Sequence, residues 1–532
     1  MDLASCLEWT AERYPHRRAV GGPHPLTFRQ WSSRTLQLAR ALAEQGVRPG
    51  DRVVLYLEGG EPLASLHLAC QQLGAVSVPL STRFGLSELA YCLGDCAPRL
   101  AVADASTVES LVRATEQGQG QPRLAFAGEP EEVPTGMVPL EEVALRQPDS
   151  AISTRPAPDD ISLMLYTSGT TGRPKGVPRT HAAEHSAAVA HLIQTGHAPG
   201  EVSLGVMPLF HTMGVRTLLA GIVAAGTWVP QSAFDADTSL ELIDREQVSA
   251  LYLVPTIYWT LLQTGRLGEM SSVRRLAYAG AAMTPALAER LVESLRPERF
   301  VNHFGSTEIY TFSIGPDVAA KPGCAGRAGV FSRVRLVDPD STASPDDLAP
   351  VGEQGQVAVS MRSPEAFTGY WHRPDADAKS IRGGWYFTGD LARADESGDL
   401  WVSGRVDDMI NSGGENIYPD EIENALSRCA VVDEVVIAGL PDDKWGHAVT
   451  AFVVPPDSTD PDRVAAEVDE YVRSRSGLSS LKRPKRIVVV DRIPKSAVGK
   501  VLRRELVQGN FVPLADRSSD GNSQGTEPRT TP

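Results

Sequence analysis

Between residues 30 and 300, short apolar runs alternate with longer stretches whose apolar residues recur three and four positions apart. RVVLYL (52–57), AVSVPL (75–80), ISLMLY (161–166), ALYLVP (250–255) and RRLAYAG (274–280) have the length and side chains of buried strands, whereas EPLASLHLACQQLG and PALAERLVESL carry helical spacing. Strand–helix alternation of this kind predicts an α/β fold, with parallel sheets covered by helices and ligands held beyond the carboxyl ends of strands. From about 325 to 404, short strand-like pieces (RVRLVD, QVAVSM, WYFTGD, LWVSG) separated by Gly, Pro and Asp predict a small β-rich subdomain. After Arg405, PDEIENALSRC and AAEVDEYVRSRSG read as helices, and EVVIAGL, AVTAFVVP and RIVVVDRI as strands, giving a small α+β domain. The expected division is therefore residues 1–404, 405–511 and a polar tail, 512–532, too poor in apolar residues to fold.

Composition narrows the function. The 532 residues exceed what one core usually holds. The net charge of −15 argues against a broad nucleic-acid surface, although a local basic patch can still bind a nucleotide. Six scattered cysteines fit a reducing compartment, and the CxxxC of Cys92 and Cys96 has no further ligand at metal-site spacing. The start lacks the apolar core of a signal peptide, and the apolar stretch near Leu218–Val229 is shorter than the ~20 residues a membrane-spanning helix needs. A cytoplasmic protein is expected.

The most informative string is Tyr166-Thr-Ser-Gly-Thr-Thr-Gly-Arg-Pro-Lys-Gly176, which follows a strand and precedes a helix. Triphosphate oxygens need many donors at close range. Gly169 and Gly172 allow close backbone approach, Thr167, Ser168, Thr170 and Thr171 offer hydroxyls and amides, and Lys175 supplies positive charge. The string is not a Walker A loop, because Gly176 stands where Ser or Thr would follow the lysine.

YTSGTTGRPKG resembles the signature of the adenylate-forming superfamily of acyl-CoA synthetases, peptide-synthetase adenylation domains and beetle luciferases, and the resemblance runs through residues 5–510. It implies ATP, Mg2+ and coenzyme A as cofactors and a small carboxylic acid as partner. Phe304, where the family usually has Tyr, would stack on adenine beside Ala279, Gly280, Ala281 and Gly305; Thr307 would bond the α-phosphate and Glu308 hold the metal. Asp390 would accept the ribose hydroxyls, Arg405 would reach the ribose or phosphate, and Asp407 matches the family hinge. Lys500 matches the catalytic lysine, which stabilises charge as the acid attacks the α-phosphorus. In the alternate pose, Gly413 and Gly414 would crowd the pantetheine arm, with Trp445, Arg483 and Lys485 at the nucleotide end of coenzyme A.

By the same resemblance, His211 would gate the acid pocket, whose wall includes Thr212, Met213, Tyr252, Ala279, His303, Gly305, Tyr310 and Thr311. Gly305 is expected to leave space for a flat or bulky group, and the polar tips of Tyr252, His303 and Tyr310 suggest an acid carrying a ring and a hydroxyl or carbonyl; equally, His303 and Tyr310 could satisfy each other. GRVDDMINSGGENIYPDEIENAL and LKRPKRIVVVDRIPKSAVGKVLRREL most resemble benzoate and chlorobenzoate ligases. The implied activity is an AMP-forming acyl- or aryl-CoA ligase, a homodimer being a reasonable assembly. The alternatives are loading of a carrier-protein thiol and a relative that runs one half-reaction; a binding module without catalysis is the reading from a different class.

Overall fold

The computed structural model describes residues 1–118, 121–129, 132–152, 155–167, 173–339, 343–412, 415–442, 445–456, 459–480, 482–495 and 501–518. It divides into two compact units, one of residues 1–335 and 358–388, the other of 336–357 and 389–532.

The first unit contains two large sheets. In the nine-stranded sheet the order is Arg327–Ala328, Ser313–Gly315, Arg299–Phe304, Arg275–Tyr278, Ala250–Leu253, Val202–Gly205, Thr227–Pro230, Arg18–Val20 and Leu26–Thr27. The seven-stranded sheet runs Val138–Pro139, Arg123–Phe126, Leu100–Ala103, Arg52–Tyr56, Val76–Pro79, Ile161–Thr167 and Lys175–Thr180. The central pairs are parallel in both. A strand covered on both faces is apolar at successive positions, and Val76–Pro79, Leu100–Ala103 and Ala250–Leu253 are buried throughout. Their apolar runs are what made the sheets visible in the sequence.

Helices start where short polar side chains can satisfy their first amide groups. Thr180 accepts from the Ala183 amide to open helix His181–Thr195, and Thr284 accepts from Leu287 to open Pro285–Leu295. The helices Glu61–Leu73 and Pro285–Leu295 fall where helical spacing placed them. The β-rich stretch contains the strands Val334–Val337, Gln354–Ser360, Ile381–Arg382, Trp385–Ala394 and Leu400–Arg405.

In the second unit, Glu434–Asp442, Gly446–Val454, Arg486–Val490 and Pro513–Ser518 form a four-stranded sheet, accompanied by helices Pro419–Leu426 and Pro461–Ser474. Ile422, Leu426, Val449, Val464, Val468 and Val489 share its core. The last strand corrects the expectation of disorder from residue 512: Pro513–Ser518 pairs antiparallel with Arg486–Val490. Its side chains are mostly exposed, so the backbone ladder rather than apolar burial holds it. Residues 519–532 of the expected tail lie outside the described residues.

Candidate active site

The strand Ile161–Thr167 ends at Thr167, opposite Lys175 in an antiparallel pair that brings the two ends of the Gly–Thr string together. Ser168, Gly169, Thr170, Thr171 and Gly172 lie outside the described residues. Lys175 Nζ stands 4.1 Å from the centre of the Tyr370 ring. The hydroxyl of Tyr370 donates to Glu308 Oε1 at 2.6 Å. Burial first, then the Glu308 carboxylate, pushes the Tyr370 pKa up, so the phenol keeps its proton and remains a donor. One ring thus joins the cation expected to meet phosphate and the carboxylate expected to hold metal. The described residues contain no cluster of three metal-ligating side chains. A lone fixed carboxylate suits Mg2+, a hard cation that keeps several waters and shares substrate phosphates.

Glu308 is buried on the turn after strand Arg299–Phe304, and that turn is fastened from below by Arg179. Arg179 is fully buried; its Nε donates to Glu184 Oε1 at 2.7 Å. Its Nη1 donates to the carbonyl oxygens of Glu308 at 3.1 Å and Glu365 at 2.6 Å. The guanidinium also lies 3.8 Å from the Tyr310 ring centre. Within the turn, the Ser306 amide donates to the Ile309 carbonyl, and the Ser306 hydroxyl accepts from the Glu308 amide. Thr307 and Phe304 are half-buried, and the Phe304 ring meets Phe312 edge-on at 5.2 Å. Ala279, Gly280 and Ala281 follow strand Arg275–Tyr278, Gly280 with φ +87°.

His211 sits at the N-cap of helix Thr212–Val223, its ring 6.4 Å from that of Phe210. Thr212 is half-buried at the first helical position, and Met213 joins the hydrophobic core. A Cβ on Gly305 would stand 2.1 Å from the Tyr310 carbonyl oxygen, so backbone packs against its α-carbon on that side. One pocket expectation needs correction. His303 and Tyr310 do not satisfy each other: Tyr310 donates to Glu184 Oε2 at 3.2 Å, while His303 stacks on His191 at 5.4 Å. Tyr252 and Thr311 instead bond to Arg216, a buried residue of helix Thr212–Val223.

Within the second unit, Asp390 and Arg405 are antiparallel partners, and Arg405 Nη1 donates to Asp390 Oδ1 at 2.7 Å. Asp407 lies in the 3-10 turn Val406–Asp408. Arg503 donates to Asp408 Oδ2 at 3.3 Å and Glu423 Oε1 at 2.8 Å, tying that turn to helix Pro419–Leu426. Lys485 Nζ is 5.2 Å from the Trp445 ring centre and donates to the Ser480 carbonyl at 2.8 Å. Arg483 Nε donates to the Leu478 carbonyl at 3.2 Å. Gly413, Gly414 and Lys500 lie outside the described residues.

Arg179, Glu184, Arg216, Tyr370 and Glu365 were not anticipated. Arg216 left one trace, the only charge in the helix Thr212–Val223. Nothing in the sequence marks Tyr370 beyond its place before Trp371.

Comparison with known proteins agrees with this architecture. The AMP-binding enzyme family matches residues 7–371, and the AMP-binding enzyme C-terminal domain matches 421–500. The chain is 37% identical to a feruloyl-CoA synthase of Amycolatopsis sp, over 93% of this chain and 96% of that protein. It is 32% identical to a 4-chlorobenzoate–CoA ligase of Arthrobacter sp, over 94% of both. Among solved structures, the anthranilate CoA ligase AuaEII in complex with anthranoyl-AMP superposes with a TM-score of 0.87, at 25% identity over 96% of this chain and 97% of that one. The chain belongs to the AMP-binding enzyme family, in its acyl-CoA ligase branch. It is an AMP-forming ligase that converts a small carboxylic acid and ATP to an acyl-adenylate and pyrophosphate, then forms the thioester with coenzyme A. No helix among the described residues is long and apolar enough to cross a membrane.

Proposed function

We propose that the acid is aromatic and that the acceptor is free coenzyme A. The observation that carries the nucleotide side is the phenol of Tyr370, which holds Glu308 by its hydroxyl and Lys175 by its ring face. In this reading the 167–172 string and Lys175 bind the triphosphate, Glu308 holds Mg2+, and Phe304 packs on adenine with Ala279, Gly280, Ala281 and Gly305. Thr307 bonds the α-phosphate, and Asp390, fixed by Arg405, takes the ribose hydroxyls. Bound Mg2+ supplies charge neutralisation at the phosphate oxygens. Lys500 stabilises the charge that develops as the acid's oxygen bonds to the α-phosphorus and pyrophosphate leaves. Asp407 is the hinge that lets residues 405–511 change pose. The thiol sulfur then attacks the acyl carbon, past His211 and along Gly413 and Gly414, and AMP departs.

Free coenzyme A is supported by the cation–indole pair of Lys485 and Trp445, which with Arg483 suits a phosphorylated adenosine. An aromatic acid is supported by the relatives that act on feruloyl, chlorobenzoyl and 3-hydroxybenzoyl groups. All six cysteines are free and buried, which supports a cytoplasmic enzyme; a homodimer is the simplest assembly. An acid panel assayed two ways tests the reading. Acid-dependent pyrophosphate release and thioester formation with free coenzyme A should both occur, best with ring acids. Release without thioester would point to a carrier-protein thiol, and thioester only from supplied adenylate to a half-reaction enzyme.

A further inference from the structure

Helix Leu86–Cys96 carries no residue assigned to either half-reaction, yet both arms of the Gly–Thr string are tied to it. The string leaves strand Ile161–Thr167 and re-enters strand Lys175–Thr180, with Tyr166 opposite Gly176 and Thr167 opposite Lys175. On the departing arm, the Tyr166 hydroxyl donates to Asp95 Oδ2 at 2.6 Å. On the returning arm, the Gly176 carbonyl accepts from the Trp371 amide at 2.9 Å, and the Trp371 indole N–H donates to the Asp95 carbonyl at 3.1 Å. The two arms therefore meet at Asp95, whose side chain holds one and whose backbone holds the other. One turn earlier on the same helix face, the Tyr91 ring centre lies 5.4 Å from the guanidinium of Arg173, on the returning arm.

The platform is itself fixed. Leu89, Cys92, Leu93 and Cys96 anchor the helix in the core. Arg52 donates through Nε to the Cys96 carbonyl at 2.8 Å and through Nη2 to the Ala97 carbonyl at 2.9 Å, so a cation satisfies the carbonyl end of the helix. The same guanidinium lies 5.8 Å from the Trp371 ring centre. A Cβ on Gly176 would meet Trp371 Cβ and Met164 Sδ at 3.0 Å each, so the returning arm lies directly against Trp371. Burial first, then the neighbouring Cys96 and Asp95, push the Tyr166 pKa up, and the phenol stays a donor. Trp371 follows Tyr370, whose hydroxyl and ring hold Glu308 and Lys175.

We propose that Asp95, acting through Tyr166 and Trp371, is a positioning residue for the triphosphate, setting where Thr167 and Lys175 stand relative to Glu308. The inference rests on the reading that the string and Lys175 bind the triphosphate, and adds what aims them. A carboxylate behind an anion site opposes binding by its charge, so its use there is geometric. A phenol–carboxylate bond is short, directional and stronger than a neutral pair, which suits a fixed brace. Thioester formation consumes an adenylate that has already lost pyrophosphate. The brace therefore matters to the first half-reaction and not to the second.

The test is the ATP dependence of acid-dependent pyrophosphate release in Tyr166→Phe, Asp95→Ala and the double variant, beside thioester formation from a supplied acyl-adenylate. In Tyr166→Phe, KM for ATP should rise about tenfold, while KM for the acid and thioester formation stay within about twofold of native. Asp95→Ala spares the backbone carbonyl and removes the same bond from its other end, so the double variant should lose no more than the larger single loss. Tyr166→Phe keeps the ring and is read alone should Asp95→Ala fold poorly. An unchanged KM for ATP, equal loss in both half-reactions, or losses that multiply in the double variant would overturn the inference. Lys175→Ala separates it from the reading beneath. A raised KM for ATP in Lys175→Ala beside native behaviour of Tyr166→Phe sinks the brace alone, whereas native behaviour of Lys175→Ala sinks the triphosphate reading with it.

Discussion

Tyr370 gives its hydroxyl proton to Glu308 Oε1 across 2.6 Å, and the ring of the same residue faces Lys175 Nζ at 4.1 Å. A carboxylate is therefore aimed by a neutral donor, which fixes its direction without cancelling its charge. Tyr370→Phe keeps the ring beneath Lys175 and removes only the hydrogen bond. Hydrogen bonds to charged groups contribute roughly 1.5–3 kcal/mol, so kcat/KM for pyrophosphate release should drop about 10- to 100-fold. The loss should be accompanied by a higher Mg2+ requirement. A magnesium titration that overlays the native curve would show that Tyr370 does not aim Glu308.

Gly305 tests the same turn from its other end. A Cβ there would lie 2.1 Å from the Tyr310 carbonyl oxygen and 2.6 Å from its carbon, and backbone cannot step aside as a side-chain tip can. Gly305→Ala must displace the 305–310 turn, which carries Thr307 and Glu308. Overpacking of this kind typically costs about 1–3 kcal/mol of stability. Pyrophosphate release should suffer more than the melting temperature, falling by about 100-fold or more, because reacting groups tolerate ~1 Å of misplacement poorly. Native-level release from Gly305→Ala would mean the turn can relax without moving Glu308.

The sheets of the first unit were legible because parallel strands buried on both faces leave unbroken apolar runs: ISLMLY became Ile161–Thr167 and ALYL became Ala250–Leu253. Pro513–Ser518 was not, since a strand held by its ladder needs no apolar side chains. The Gly–Thr string and FGSTE were conspicuous as strings. What holds them was hidden for a different reason. Arg179 reaches Glu308 and Glu365 across 129 and 186 residues of sequence, and Arg216 reaches Tyr310 across 94. Local spacing carries no trace of such partners; only the sheet register brings them together. The expectation that His303 and Tyr310 pair failed on the same ground, because the partner of Tyr310, Glu184, enters from helix His181–Thr195.

The proposed role of Lys500 separates the two half-reactions. Lys500→Ala should lower acid-dependent pyrophosphate release by about a thousandfold, the scale on which loss of a preorganised charge acts at a phosphoryl centre. Thioester formation from a supplied acyl-adenylate should remain within a few-fold of native. Equal loss in both steps would move the lysine out of adenylation.

Glu365 makes stability depend on pH in a direction opposite to that of a salt-bridged carboxylate. Burial pushes its carboxyl up from 4.5 to about 7, and the nearby Arg216 and Arg179 charges only partly oppose this. The folded protein therefore holds the proton more tightly than the unfolded chain. The resulting stabilisation is complete below the unfolded value of 4.5 and is lost as pH rises through about 7. Converted at 1.36 kcal/mol per pH unit, the effect is about 3 kcal/mol. Glu365→Gln keeps the shape of the protonated form and does not titrate. Urea unfolding at pH 5 and pH 8 should show the native protein losing up to about 3 kcal/mol relative to Glu365→Gln between the two conditions. Parallel behaviour of the two proteins across that range would mean that Glu365 is ionised in the fold, its charge compensated by Arg216 and Arg179.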